Sequence, residues 1–304
     1  MWFKNAIFYR FSQSFEHTAE TLEAKLEDKA FTPCGSQELS RFGWISPSHG
    51  LSDMLVHAGQ GFMLIAAQKE EKILPSSVIK QKLEAKVKQI EHEQARKVYR
   101  KERDQLKDEI VIDLLPRAFS KFQTTHALIA PQQGLLIVDA SSHKRAEELL
   151  SHLRTELGSL PVVLPDVNHS PSAIMSQWLE TADSRPQDFV ILDECELRDT
   201  SVENGVIRCK GQDLESDEIR QHLEAGKRIV KLAVDWQESL NFIIQDDLCL
   251  KRLKLSDSLK EKLDQDSPEE AMERFDSEFI AMSLELTRLI PMLLEAFGGE
   301  AVRP

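Results

Sequence analysis

The segment from Lys69 to Lys107 most narrowly limits what this chain can fold into. It carries twelve Lys or Arg against seven Asp or Glu, a local surplus of five positive charges in a chain whose net charge is −13. Ile79, Leu83, Val87 and Ile90 recur at helical spacing, which predicts an amphipathic helix with a wet, mainly basic face. The apolar stripe thins past Ile90, and Glu91 to Asp108 is mostly polar. A helix polar nearly all round has no face to bury in a core, so it projects from the body, pairs with a partner or covers a ligand.

The flanking sequence mixes strands and helices without a regular βαβ rhythm. Residues 5–11 read as a strand with Ile7, Tyr9 and Phe11 on one face, and residues 17–30 as a helix around Leu22 and Leu26. Phe31 to Gly61, richer in Pro, Gly and Ser, reads as loops between short elements, and Phe62 to Ala67 as a buried strand. Two strands, 126–130 and 134–140, are joined at Pro131-Gln132-Gln133-Gly134. A helix from Ser142 to Leu157 ends at Gly158, and a helix at 171–182 precedes a strand at 188–193. Gly205 to Lys210 reads as a strand, and Ser216 caps a short helix that ends at Gly226. Residues 228–236, 239–245 and 250–255 read as an antiparallel meander, followed by a loop-like stretch at 257–266.

The last helix has the sharpest local signature. Ser267-Pro268-Glu269-Glu270 offers a cap, a first-turn proline and a capping-box Glu. Phe275, Phe279, Ser283, Leu286, Leu289, Leu293 and Phe297 form its stripe, Gly298-Gly299 closes it, and Pro291 is expected to kink it. The class is α+β with more than one subdomain.

Composition removes several function classes. Four cysteines, Cys34, Cys195, Cys209 and Cys249, lie far apart with no CxxC pair, against a zinc knuckle or a disulfide framework. The opening residues lack the basic and apolar regions of a signal peptide, and no window approaches a membrane span, so a cytoplasmic chain is expected. Gly59-Gln60-Gly61 lacks the third glycine of a dinucleotide loop, and no P-loop occurs. Cys34, His49 and His57 could supply metal ligands or be ordinary loop histidines and a free thiol. Asp193, Glu194 and Glu196, with Asp246 and Asp247, could hold Mg²⁺ in a nuclease or sit at solvated strand ends. No nucleophile–base arrangement stands out, so the reading is of a chain without catalysis or cofactor.

The basic groups point elsewhere. Arg96, Lys97, Arg100, Lys101 and Arg103 crowd one segment, and Arg117 and Lys121 flank Phe119. Lys210, Lys227, Arg228 and Lys231 form a second group, and Lys251, Arg252 and Lys254 a third. Gathered cations attract phosphate and release counterions without sequence preference. From Leu255 to Pro304 twelve acidic residues face five basic ones, so charge is segregated along the chain. Phe119 fits a core position, a base-stacking platform or an anchor in a partner's pocket.

The chain also resembles a known family. Trp2-Phe3-Lys4-Asn5, Ala30-Phe31-Thr32-Pro33-Cys34-Gly35-Ser36-Gln37 and Lys69-Glu70-Glu71-Lys72-Ile73-Leu74-Pro75-Ser76 look like the recombination-associated RdgC proteins. So do Leu114-Leu115-Pro116-Arg117-Ala118-Phe119-Ser120, Leu157-Gly158-Ser159-Leu160-Pro161-Val162-Val163, Gly205-Val206-Ile207-Arg208, Glu224-Ala225-Gly226-Lys227 and Gly298-Gly299-Glu300-Ala301. The resemblance implies a horseshoe-shaped subunit of several subdomains, with antiparallel sheets and projecting helices, that pairs with a second copy into a ring-shaped homodimer around DNA. It implies binding of double- and single-stranded DNA with little sequence preference, restraint of RecA-promoted exchange, a nucleoid-associated place in the cytoplasm, and no cofactor. Its organisation would be a central domain from 1–68 and 126–200, a projecting basic tip at 69–125, and a base domain at 201–304.

By position, the resemblance makes Phe119 the aromatic of the tip-to-tip contact that gates the ring, and Arg96 and Lys97 the basic pair on the same arm. It puts Lys210, Gln212 and Lys227 near the other contact. Together with Arg100, Arg117, Lys121 and Arg228, these basic and polar residues are the candidate DNA contacts. Gly211 departs from the pattern, standing where a second lysine is expected, and Pro291 falls in a helix that the pattern continues. Two other functions remain open on the residues: a protein-interaction factor that inhibits RecA by direct contact, and a structure-specific nuclease built on the carboxylates above.

Overall fold

A computed structural model describes residues 2–199, 205–265 and 268–301. Its strands join one antiparallel, twelve-stranded sheet, and the class is α+β. In chain order the first elements are β1 (Asn5–Phe11), α1 (Ala19–Glu27), β2 (Ser40–Ile45), β3 (Val56–Gly59) and β4 (Phe62–Ile73). Two helices, α2 (Ser76–Gln94) and α3 (Arg100–Leu114), then lead to β5 (Phe119–Ala130), β6 (Leu135–Val138), α4 (His143–Leu157) and β7 (Val162–Val163). The rest comprises α5 (Pro171–Glu180), β8 (Phe189–Asp199), β9 (Val206–Lys210), α6 (Asp217–Glu224), β10 (Lys227–Trp236), β11 (Leu240–Gln245), β12 (Leu250–Leu255), α7 (Asp257–Gln265) and α8 (Ala271–Ala296).

The sheet runs β2-β4-β5-β6-β1-β12-β11-β10-β8-β9, with β3 on β4 and β7 on β1. β1 is the seam. Its first residues, Asn5 and Ala6, pair with Lys251 and Leu250 of β12, whereas Ile7 to Arg10 pair with Val138 to Leu135 of β6. One short strand thus joins two half-sheets, and its alternation serves two cores. Ile7 and Tyr9 pack with Leu22 and Leu26 of α1 and Leu149, Leu150 and Leu153 of α4. Ala6 and Phe8 face the other way, into a cluster with Phe275, Phe279 and Leu286 of α8 and Met175 and Trp178 of α5. Because the first half-sheet is covered on both faces, Phe62 to Ala67 is a continuous apolar run rather than an alternating one.

Local signals explain several boundaries. Ser142 caps α4, its hydroxyl accepting from the Arg145 amide at 3.4 Å, and Gly158 ends the helix in the left-handed region at φ 77°. Thr18 does the same for α1, which is shorter than the span 17–30 suggests. The stretch at 257–266 is not a loop: residues 257–265 form α7, started by the Ser256 hydroxyl, which accepts from the Leu259 amide at 3.2 Å. Ser267 lies outside the described residues, and α8 begins after Glu270 rather than at Pro268. Pro291 does not end that helix, which continues to Ala296. The expected 188–193 strand runs on to Asp199, so Asp193, Glu194 and Glu196 sit within a strand instead of at its end.

The basic segment divides in three. Lys69 to Ile73 complete β4, which pairs with β5 from Met63↔Ile129 out to Ile73↔Phe119. The pairing continues past the buried half of both strands, and α2 and α3 stand between their far ends. Ala95, in the left-handed region at φ 48°, breaks the helix that the polar stretch suggested into two. Val87 of α2 and Leu106 and Ile110 of α3 are buried outside both main clusters, so each polar helix covers the other's narrow stripe.

Since β1 is held on both faces, cutting one side chain from it should be costly. Phe8→Ala is expected to lower unfolding free energy by about 3–5 kcal/mol in a urea titration. A loss under about 1 kcal/mol would contradict the place given to Phe8 in the core.

Candidate nucleic-acid interface

The candidate residues fall into two groups on different parts of the sheet. The first lies on the arm made by the outer ends of β4 and β5 with α2 and α3. Arg96 and Lys97 occupy the turn between the helices, Arg100 opens α3, and Arg117 ends the short 3-10 turn Leu115–Arg117. Arg96 is committed locally, donating to both Glu102 oxygens at 2.5 and 2.6 Å and to Gln94 at 2.7 Å. Lys97, Arg100, Arg117 and Lys121 are exposed, and none takes part in an ion pair among the described residues.

Phe119 is 84% exposed at the start of β5, opposite the exposed Ile73, so it is not a core residue. The root of the arm is tied down by Glu70, a carboxylate only 3% exposed. It accepts from the Ser120 hydroxyl at 2.5 Å and the Cys34 amide at 2.6 Å, with the Lys72 ammonium at 3.5 Å. The Ser120 hydrogen bond, followed by that of Cys34, holds this carboxyl below its ordinary value. Phe122, beside it, meets Phe31 edge to face with ring centroids 6.4 Å apart.

The second group lies on the solvent face of the other half-sheet. Along β8, Cys195 and Leu197 point into the core while Glu194, Glu196 and Arg198 point out; along β9, Ile207 and Cys209 face inward and Arg208 and Lys210 outward. Register sets Arg208 opposite Glu196, Lys210 opposite Glu194 and Arg228 opposite Arg198. Glu196, buried beneath them, accepts from Arg198 at 3.0 Å, Arg208 at 2.9 Å and Lys231 at 2.9 Å. Burial raises its pKa, but the three cations outweigh that and bring it down to about 2. Three cations thus share this one carboxylate, with Asp246 also near Arg198 and Lys231, and Arg208 keeps 74% of its side chain in solvent.

Lys227 begins β10 opposite Asp199, and Gln212 lies in the turn after β9, its amide near the Asp193 carbonyl. Gly211 has φ 67° and donates its amide to that same carbonyl at 2.9 Å. A lysine there would hold a strained left-handed backbone, which gives a physical reason for the departure at this position. Arg252, at φ 53° in β12, reaches Glu194 at 2.8 Å.

Arg198 and Arg208 escape a reading by sequence. Their signal is the alternation of charge at 194, 196 and 198 and at 208 and 210, which is hidden when β8 is taken to end at 193. Of the carboxylates considered for a nuclease, Glu196 and Glu194 are paired with arginines and Asp247 meets His143 at 3.0 Å. Cys34, His49 and His57 do not converge: Cys34 touches Glu70, His49 faces the His126 ring, and His57 meets Asp276 at 3.1 Å.

A family model described as "Putative exonuclease, RdgC" matches residues 1–300. The chain belongs to the RdgC family. It is 50% identical over 303 residues to the recombination-associated protein RdgC of Pseudomonas syringae pv. tomato, covering 99% of both chains. It is 48% identical to proteins of that name from Pseudomonas fluorescens, over 99% of this chain and 98% of the other, and Pseudomonas aeruginosa strain PAO1, over 99% of each. Those names tie the RdgC family to recombination, whereas the family description speaks of an exonuclease. Among the described residues of this RdgC chain, no helix is long and apolar enough to cross a membrane.

The Glu196 cluster has a pH signature. Its carboxyl is lowered in the folded state, so the stability it contributes is present above the unfolded pKa of about 4.3 and is lost as pH falls towards about 2. Glu196→Gln should destabilise the protein at pH 7 by about 1–3 kcal/mol, with the difference from the parent shrinking below about pH 4 in acid denaturation. A difference that stays constant to pH 2 would mean that these ion pairs do not form in solution.

Proposed function

We propose that this chain is a sequence-nonspecific binder of double- and single-stranded DNA that encircles DNA as a ring-shaped homodimer and restrains RecA-dependent recombination. The reading rests on family membership and, above all, on the solvent face of β9, β8 and β10, where Arg198, Arg208, Lys210, Arg228 and Lys231 outnumber Glu194, Glu196 and the neighbouring Asp246. A chain of net charge −13 that places such a surface on regular strands can attract phosphate locally while its other surfaces repel it. Lys97, Arg100, Arg117 and Lys121 on the arm, and Gln212 and Lys227 beside the basic face, would extend that surface. Phe119, apolar and almost fully exposed at the arm's end, would close the ring by packing on a second copy. The horseshoe form of the subunit and its nucleoid association belong to the same reading.

In a salt titration of binding to a random-sequence duplex, log K should fall with log salt at about −0.9 per neutralised phosphate. Lys97→Glu with Lys227→Glu should weaken binding to all sequences alike and make the slope shallower by about one for each phosphate left without its lysine. Weak dependence on salt would overturn the reading. Inhibition of RecA that survives the loss of DNA affinity would favour direct contact with RecA instead. Degradation of labelled DNA in Mg²⁺ or Mn²⁺ would favour the exonuclease suggested by the family description. Phe119→Ala should weaken self-association while leaving the unfolding temperature within a degree or two, and a marked drop in that temperature would return Phe119 to a structural role.

A further inference from the structure

At the junction of the two half-sheets, three side chains of different chemistry meet at one point. His143 is the first residue of α4, while Asp247 and Cys249 lie in the turn between β11 and β12. His143 Nε2 is 3.0 Å from Asp247 Oδ2 and 3.2 Å from Cys249 Sγ. All three groups lie within 4.8 Å of one another. The turn is built to bring its two residues together: Leu248 sits at φ 62°, unusual for a leucine, with its side chain buried. The Cys249 amide donates to Asp247 Oδ1 at 3.0 Å, which leaves Oδ2 directed at the imidazole.

Hydrogen bonding alone does not satisfy this arrangement. Carboxylate and thiol both approach the same ring nitrogen, and the other, Nδ1, is buried without a partner. A Cys–His–Asp relay uses the two imidazole nitrogens separately, one for the nucleophile and one for the orienting carboxylate, so this is not a nucleophile–base constellation. If Nε2 carries the proton, it is shared between oxygen and sulfur and Nδ1 is an unpaired acceptor. With the proton on Nδ1 instead, a lone pair faces a carboxylate. A cation in the middle removes the conflict at Nε2, because nitrogen, oxygen and sulfur can all donate to it, and it fixes the ring proton on Nδ1.

We propose that His143, Asp247 and Cys249 form a binding site for a single borderline divalent cation of the zinc type. The mixed nitrogen, sulfur and oxygen set suits that class rather than magnesium or calcium, which take oxygen ligands. In a tetrahedral zinc site, bonds of about 2.0–2.3 Å set neighbouring ligand atoms roughly 3.3–3.6 Å apart. The two contacts of His143, at 3.0 and 3.2 Å, need open by only a few tenths of an ångström to admit the ion. Cys249 forms the buried floor, whereas the His143 and Asp247 side chains are 39% and 46% exposed. That opening gives the ion a path in and leaves a fourth position for water. On binding, the sulfur–hydrogen bond breaks, a metal–sulfur bond forms, and the thiol proton leaves to solvent.

The ligands come from opposite sides of the β1 seam. α4 covers the first half-sheet, and the β11–β12 turn belongs to the second, so the ion would clip the two together. The site is a structural clamp with one open position, its ligation stabilising the folded chain by mass action.

The test uses the reduced, chelator-treated full chain and Co²⁺ as a spectroscopic probe. One Co²⁺ per chain should bind with a thiolate charge-transfer band and tetrahedral visible bands, and Zn²⁺ should displace it and raise the unfolding temperature. Cys249→Ser should abolish the charge-transfer band and the Zn²⁺-dependent shift. His143→Ala, at a partly exposed position, should weaken Co²⁺ binding at least tenfold, a cost of about 1.4 kcal/mol. No thiolate band at saturating Co²⁺, a band that persists in Cys249→Ser, or unchanged affinity in His143→Ala would each overturn the proposal.

Discussion

The structure depends on the pairing of β1 with two different partners. Asn5 and Ala6 bond to β12 and the next four residues to β6, so the first strand of the chain closes a sheet whose other strands come from far along the sequence. The apolar cluster around α8 likewise draws on both halves, with Phe8 and Leu64 from one and Val234 and Ile244 from the other. The basic face and the arm are therefore joined through one continuous sheet.

Much of this was legible where the signal was local. Ser142 and Gly158 bracket α4, the three strands of the meander fall where alternation put them, and the stripe of α8 is buried as its spacing demands. What escaped depended on contacts across the chain. The outer halves of β4 and β5 are polar and have no apolar alternation, and they are strands because each supplies the other's hydrogen bonds. α7 reads as a loop by composition and becomes a helix because Ser256 satisfies its first turn. Among the candidate DNA-binding residues, the basic groups were visible as composition, but which cations share a face was not. That follows from the register of β8 with β9 and β10, which no window of sequence contains. The trio at His143 is more distant still, since its ligands are separated by about a hundred residues and meet through the seam.

Electrostatics follows the same division between composition and geometry. The acidic residues that dominate the net charge do not neutralise the basic face evenly. One of them, Glu196, is buried and holds three cations in fixed positions, restraining side chains that would otherwise be free in solvent. Guanidinium groups held in this way lose less freedom when they meet a further anion, so the buried carboxylate orders the surface above it. On the arm, Arg96 is restrained by Glu102 in the same manner, while Lys97 makes no ion pair among the described residues.

The two long strands of the arm have a mechanical consequence. Their inner halves are packed on both faces, and their outer halves carry Phe119 and the paired helices. Moving one strand past the other by a single residue would exchange the side chains of Phe62 to Ala67 between two cores, each packed around the ones it now holds. The ribbon is therefore locked against sliding although its tip stands in solvent. A displacement of the tip would therefore have to come from bending or twisting beyond the bonds of Glu70, with the register unchanged.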